Sequence, residues 1–292
     1  LLGLALGCCF GAGGAAFARP PPARGVGLLE RVGVGVGSAR VQLETLRERK
    51  PYIQLVHDFL SPKEISHVVR LAEAQTFASS TIASKGGDAV DGDRTSSTCH
   101  LATAHDNIIQ AIEKRAATLL RTPAACVEPL QVVKYGAQQQ YKPHFDYFPE
   151  KSDYFVANTH HGYVDEDGRE HPNQRLYTLF VYLNQPDAAH TACAGGTVFP
   201  ECNYEIIPKK GMAVLFHNLD ERGREDTMAL HGGARNRCSS RGFTKYGLNI
   251  WVRAFPYPSS AGAPPAAGYL ASVPACQPCD KVHPQVRCAA AT

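Results

Sequence analysis

The sequence has almost no excess charge of either sign. With 30 basic and 27 acidic residues in 292, the formal net charge is +3, and the basic residues are scattered rather than striped along one element. A nucleic-acid partner is therefore not expected. A second Cys-x-x-Cys is also missing. Cys276-x-x-Cys279 is followed by no matching pair and no paired histidines, which argues against a zinc knuckle. No Lys-Ser/Thr pair follows Gly195-Gly196, so this dipeptide reads as a turn between strands and not as a phosphate loop. What is present is ordinary for a globular protein, with 44% hydrophobic and 20% charged residues. The length suits one large domain or two small ones around a sizeable core.

The first charge falls at Arg19. The apolar stretch before it, from Leu1 to Ala15-Ala16-Phe17-Ala18 and lacking an initial Met, resembles the core and cleavage region of a secretory signal over residues 1–18. A signal anchor is the rival reading, although Gly11, Gly13 and Gly14 make a poor membrane span. Beyond this leader stand Cys99, Cys126, Cys193, Cys202, Cys238, Cys276, Cys279 and Cys288, an even number compatible with disulfides in an oxidising lumen. Their pairing is not deducible from the sequence. The expected location is the endoplasmic reticulum lumen or secretory pathway, with a membrane partner only if the leader is an uncleaved anchor.

Residues 19–50, from Pro20-Pro21-Pro22 to Arg47-Glu48-Arg49-Lys50, show no stable period and read as a linker with a short helix at its end. A domain is expected over 51–258, followed by a cysteine-containing Ala/Pro/Gly-rich tail over 259–292. Within the domain, Ser61-Pro62-Lys63-Glu64 has capping-box spacing and predicts a helix with Ile65, Val68, Val69 and Ala72 on its apolar face. A second helix is predicted from about Asp106 to Leu120, with Glu113 and Lys114 on a solvated face. The period then changes to two. Strands are predicted over 128–136, 141–147, 175–184, 196–199, 204–207, 211–217, 228–231 and 244–255. Helices followed by short strands predict an α+β protein with a jelly-roll core. The polar stretch 150–173, with His160, His161 and His171, reads as a lid near the site.

The chemistry centres on Tyr141-Lys142-Pro143-His144-Phe145-Asp146-Tyr147-Phe148. In a strand, residues two apart project from one face, so His144 and Asp146 converge. A third ligand downstream completes a two-histidine, one-carboxylate facial triad, the donor set of non-haem Fe(II). His231 is the candidate. His217 competes, but it ends an apolar strand and reads as a structural histidine.

Residues 51–255 resemble the catalytic domain of prolyl 4-hydroxylases, the Fe(II)- and 2-oxoglutarate-dependent dioxygenases, and most closely the single-chain plant and algal type. The resemblance is carried in order by Arg94-Thr95-Ser96-Ser97, Leu130-Gln131-Val132-Val133-Lys134-Tyr135, Tyr141-x-Pro143-His144-x-Asp146-Tyr147-Phe148 and Arg175-x-x-Thr178-x-x-x-Tyr182-Leu183-Asn184. Gly195-Gly196-Thr197-x-Phe199-Pro200, Pro208-x-Lys210-Gly211, Leu215-Phe216, Leu230-His231 and Trp251 follow.

The resemblance implies a double-stranded β-helix (jelly roll) core braced by N-terminal helices, with His144, Asp146 and His231 as iron ligands. In this family a lysine past the second histidine binds the distal carboxylate of 2-oxoglutarate. The family's position falls here on Arg241, but Trp251 keeps its family spacing from Lys245, which implies a four-residue insertion and assigns the role to Lys245. Arg241 is the alternative. Thr178 and Tyr135 can offer hydroxyls to the same carboxylate, and Arg94, Tyr141 and Trp251 are assigned to a groove for a polyproline II peptide. The implied reaction is peptidyl-proline 4-hydroxylation on proline-rich or collagen-like polypeptides. It uses O2, converts 2-oxoglutarate to succinate and CO2, and relies on L-ascorbate to restore oxidised iron. The alternatives are a related dioxygenase acting on another residue, such as lysine, or an inactive module that binds proline-rich peptides.

Overall fold

The structure is a computed structural model, and it describes residues 30–33, 40–82, 89–90, 92–164, 167–239, 242–256 and 286–288. The expected leader over 1–18, Arg241, and most of the tail lie outside the described residues. Two sheets face each other. The larger holds nine strands in the order β1 (Glu30–Gly33), β2 (Arg40–Arg47), β3 (Ile53–His57), β11 (Ala213–His217), β8 (Arg175–Tyr182), β13 (Lys245–Arg253), β6 (Leu130–Tyr135), β5 (Ser97–Leu101) and β4 (Ala78–Ser79). The smaller holds five, in the order β14 (Val286–Cys288), β10 (Tyr204–Ile206), β9 (Thr197–Phe199), β12 (His231–Gly233) and β7 (Tyr141–His144). All the pairings are antiparallel. This is the expected jelly roll.

Period two decides what faces the space between the sheets. On β8, Leu179 and Val181 pack outward with the helices, whereas Phe180 and Tyr182 point inward with Phe199, Ile206 and Phe216. On β13, Leu248, Ile250 and Val252 join the outer cluster. Their alternates Lys245, Asn249, Trp251 and Arg253 line the inner cavity. Gly247 is required on that stripe, because a Cβ there would meet the Phe180 ring at 2.3 Å.

The outer cluster is closed by α1 (Pro62–Glu73) and α2 (Asn107–Leu120). At α1 the capping box forms: Ser61 Oγ accepts from the Glu64 amide, and the Glu64 carboxylate accepts from the Ser61 amide. Glu64 also pairs with Arg115, tying α1 to α2. Asp106 caps α2 by accepting from Ile108 and Ile109 N–H, each at 2.9 Å.

Several expectations are corrected. Residues 19–50 contain β1 and β2 rather than only a linker, because Val41 and Leu43 alternate into the outer cluster and β2 pairs with β3. Glu113 is buried, not solvated, and its two oxygens accept from the Ala104 amide at 3.1 and 3.2 Å. Strand 228–231 is instead a 3-10 turn, Thr227–Ala229, followed by β12, since Asp226 caps the turn through the Met228 amide. Part of the tail, β14, pairs with β10 rather than standing apart. The stretch 150–173 carries a short helix, Phe155–Thr159, and a hairpin of 163–164 with 170–171. Among the described residues one disulfide joins Cys193 to Cys238. Cys99 and Cys126 are buried thiols, each pushed up to about 11 by burial. Among the described residues no helix is long and apolar enough to cross a membrane.

Candidate metal centre

His144, Asp146 and His231 come together at the inner end of a cavity of about 450 Å³ between the sheets. One donor atom from each lies within 4.8 Å of the others. Strand pairing sets this up, because His231 on β12 is directly opposite His144 on β7. The strand expected over 141–147 ends at His144, so Asp146 reaches the cluster from the bend just past it and not by strand alternation, with Oδ1 at 3.6 Å from His144 Nε2 and Oδ2 at 3.4 Å from His231 Nε2. Gly232 allows the close approach of the two chains, since a Cβ there would lie 2.7 Å from the Tyr141 carbonyl.

Both imidazoles are held in one tautomer. His144 Nδ1–H donates to the Lys142 carbonyl at 2.9 Å, and His231 Nδ1–H donates to the Ala229 carbonyl at 3.0 Å. Each therefore turns its Nε2 inward. Burial and the neighbouring His231 push His144 down to about 4, so it stays neutral. Burial alone would raise Asp146, but His231 and His144 hold it well below the usual carboxylate range. A neutral His144 and an ionised Asp146, with the His231 imidazole beside them, fit a divalent metal, and this donor set suits iron.

His217 is not part of this cluster. It is half-buried between Tyr52 and Tyr177, with ring centroids 4.9 and 4.8 Å away, and desolvation pushes it down to about 4.

Lys245 is 1% exposed and points into the cavity. Its ammonium donates to the Gly196 carbonyl at 3.1 Å and lies 4.5 Å from the centre of the Tyr135 ring. No carboxylate lies within ion-pair distance among the described residues. Burial pushes its pKa down to about 8, with Glu205 partly offsetting this. A buried ammonium without a counter-charge is costly, and an anion entering the cavity would relieve it. Tyr135 sits opposite Lys245 in strand register, with its hydroxyl pKa raised by burial.

Thr178 takes a different place from the one expected. Its hydroxyl proton goes to Asp146 Oδ2 at 2.7 Å, while its oxygen accepts from Asn218 Nδ2 at 3.0 Å. A hydroxyl has one proton to give, so Thr178 orients the metal-ligating carboxylate and has none left for a second one.

Around the cavity mouth, the Tyr141 ring stacks on His144 at 3.5 Å, and the Arg94 guanidinium lies 4.7 Å from the Tyr141 ring centre. Arg94 also donates to the Thr81 carbonyl and to Gln131 Oε1. Trp251 carries the Arg175 guanidinium at 3.7 Å, and its indole N–H is buried without an acceptor. Arg175 and Arg253 are cross-strand partners, and Glu128 sits between them. It accepts from Arg175 at 2.7 and 2.8 Å and also from Arg253. Burial opposes its ionisation, but the two guanidiniums hold it below its ordinary pKa. Glu128, Asn218 and Arg253 were not singled out from the sequence. For Arg253 a signal existed, because it continues the alternating stripe of Lys245, Asn249 and Trp251.

Two facing sheets with an inward 2-His-1-carboxylate set and a buried lysine define a metal-dependent oxygenase of the double-stranded β-helix class. Residues 130–253 match the 2OG-Fe(II) oxygenase superfamily. Prolyl 4-hydroxylase 1 of Arabidopsis thaliana is 34% identical over 216 residues, which are 70% of this chain and 69% of the relative. Prolyl 4-hydroxylase 5 of the same plant is 31% identical over 204 residues, 63% of each chain. The chain belongs to the prolyl 4-hydroxylase family. A solved structure, the viral collagen prolyl hydroxylase of Paramecium Bursaria Chlorella virus-1 with 2OG, is 24% identical with a TM-score of 0.49. It covers 69% of this chain and 95% of that one.

Proposed function

We propose that this protein hydroxylates peptidyl proline at C4 and couples that step to oxidative decarboxylation of 2-oxoglutarate to succinate and CO2. The observation that carries the reading is a His144, Asp146, His231 donor set in the same cavity as a buried ammonium that has no carboxylate within ion-pair distance among the described residues.

His144, Asp146 and His231 would hold Fe(II), which when bound would supply the oxygen-activating chemistry. Thr178, itself held by Asn218, keeps Asp146 Oδ2 engaged and so fixes the plane of the carboxylate. Lys245 receives the distal carboxylate of 2-oxoglutarate. The new ion pair restores the proton affinity that burial removed. At the mouth, Arg94, Tyr141 and Trp251 form the wall on which a proline-rich segment in polyproline II form lies. Arg175, locked by Glu128 and stacked on Trp251, keeps that wall rigid.

L-ascorbate serves as the reductant that restores oxidised iron. The protein works in the endoplasmic reticulum lumen or the secretory pathway on proline-rich or collagen-like polypeptides. This location is supported by the Cys193–Cys238 disulfide and by the signal-like composition of residues 1–18. The test is succinate release from 2-oxoglutarate with Fe(II) and ascorbate, with and without a poly-proline peptide. Peptide-stimulated turnover that disappears in Lys245→Ala is expected. Absence of stimulation by any proline-rich peptide would reject the reading.

A further inference from the structure

The carbonyl that receives the Lys245 ammonium belongs to Gly196, in the connection between β8 and β9. That connection is fastened to the one between β12 and β13. Ala234 N–H donates to the Gly196 carbonyl at 3.1 Å, and Arg237 N–H donates to the Cys193 carbonyl at 2.8 Å. Gly195 packs so tightly beneath the second connection that a Cβ would lie 2.0 Å from the Ala234 carbonyl. The Cys193–Cys238 disulfide, with its Cα atoms 4.9 Å apart, closes the same contact covalently.

Asn236 joins this staple to the strands that carry the site. It is 0% exposed, and its Nδ2 donates to the Phe243 carbonyl at 2.6 Å and to the Tyr135 carbonyl at 3.2 Å. Its Oδ1 accepts from the Cys238 amide at 3.3 Å. Phe243 leads into Lys245, and Tyr135 is the strand partner of Lys245. The disulfide, the Gly196 carbonyl and both strands beneath the ammonium therefore form one connected frame. Cys238 also falls in the stretch between His231 and Lys245, where the sequence carries four residues more than the family spacing.

We infer that the Cys193–Cys238 disulfide and Asn236 are positioning residues for the 2-oxoglutarate end of the site, holding Lys245 where it meets the distal carboxylate. This rests on the role of Lys245 proposed above. A cross-link restricts the two connections to one relative placement. Reduction leaves them joined by hydrogen bonds alone, and the ammonium loses its fixed acceptor. The effect is directed at the cosubstrate, because on the peptide wall Arg94 is held by the Thr81 carbonyl and Gln131, and Trp251 by Arg175.

The experiment uses the full chain loaded with Mn(II), which supports binding without turnover, and 2-oxoglutarate titrated by calorimetry. Oxidised wild type is compared with wild type reduced by a phosphine, the same sample reoxidised, the Cys193→Ser/Cys238→Ser double variant, and Lys245→Ala. Reduction and the double substitution should each weaken 2-oxoglutarate by about fivefold, the worth of roughly one hydrogen bond's alignment. Reoxidation should restore it, and the affinity for a poly-proline peptide should not change. Reduced protein that retains its circular dichroism and binds 2-oxoglutarate as tightly as the oxidised form, while Lys245→Ala loses affinity, would overturn the inference alone. Unchanged affinity in Lys245→Ala would remove the underlying reading and this inference with it. Equal loss of peptide and cosubstrate affinity on reduction would show a general structural role and also overturn it.

Discussion

Raising the pH should weaken the hold on 2-oxoglutarate through a single group. Lys245 is buried with no carboxylate in ion-pair contact among the described residues, and burial, partly offset by Glu205, pushes its pKa down to about 8 in the free site. Only the ammonium form attracts the distal carboxylate. Below this pKa the proton is already in place, so affinity is flat. Above it the site must first take up a proton, so KM for 2-oxoglutarate rises. The rise approaches tenfold per pH unit, which gives about tenfold between about pH 7 and about pH 9. The assay is KM for 2-oxoglutarate across this range at saturating peptide, with the peptide KM followed in parallel. Lys245→Ala should bind weakly at neutral pH and lose the pH dependence. A KM that stays flat to about pH 9.5 in the wild type would refute the argument, because the lysine would then be either unperturbed or uninvolved.

Other perturbations probe the rest of the site. Thr178→Val preserves shape but removes the hydroxyl that holds Asp146, so metal affinity measured by calorimetry should fall by roughly 10- to 100-fold. His217→Phe should leave metal affinity unchanged, whereas His231→Ala should abolish it, and equal effects would contradict the assignment of the third ligand. Glu128→Gln removes the carboxylate that the half-buried Arg175 and the buried Arg253 share. Urea unfolding should show a loss of about 3–5 kcal/mol, and a loss under about 1 kcal/mol would mean that the guanidiniums find other partners. Ser61→Ala removes the cap of α1 and should cost about 1 kcal/mol by the same method, with no change in metal binding.

Much of the site was legible because period two carries side chains to a known face. Lys245, Asn249 and Trp251 share an inward stripe, and the same count would have reached Arg253. Local chemistry was equally readable at α1 and α2, where Ser61, Glu64 and Asp106 make their bonds within a few residues. Contacts across long separations were not readable. Glu113 looked solvated by helical spacing, yet it is buried against the Ala104 amide, and residues 40–47 gained their strand character only by pairing with β3.

The sequence by itself determined the alternation of strands, the helix caps and the closeness of His144 to Asp146, since each depends on neighbours along the chain. Only the tertiary structure decided that His231, not His217, completes the cluster, that Thr178 gives its proton to Asp146, that Glu128 lies between two arginines, and that Cys193 pairs with Cys238. Those outcomes depend on sheet register and on which loops meet. Register is a property of two strands at once, and a one-residue slip would have turned His231 and Thr178 to the opposite face.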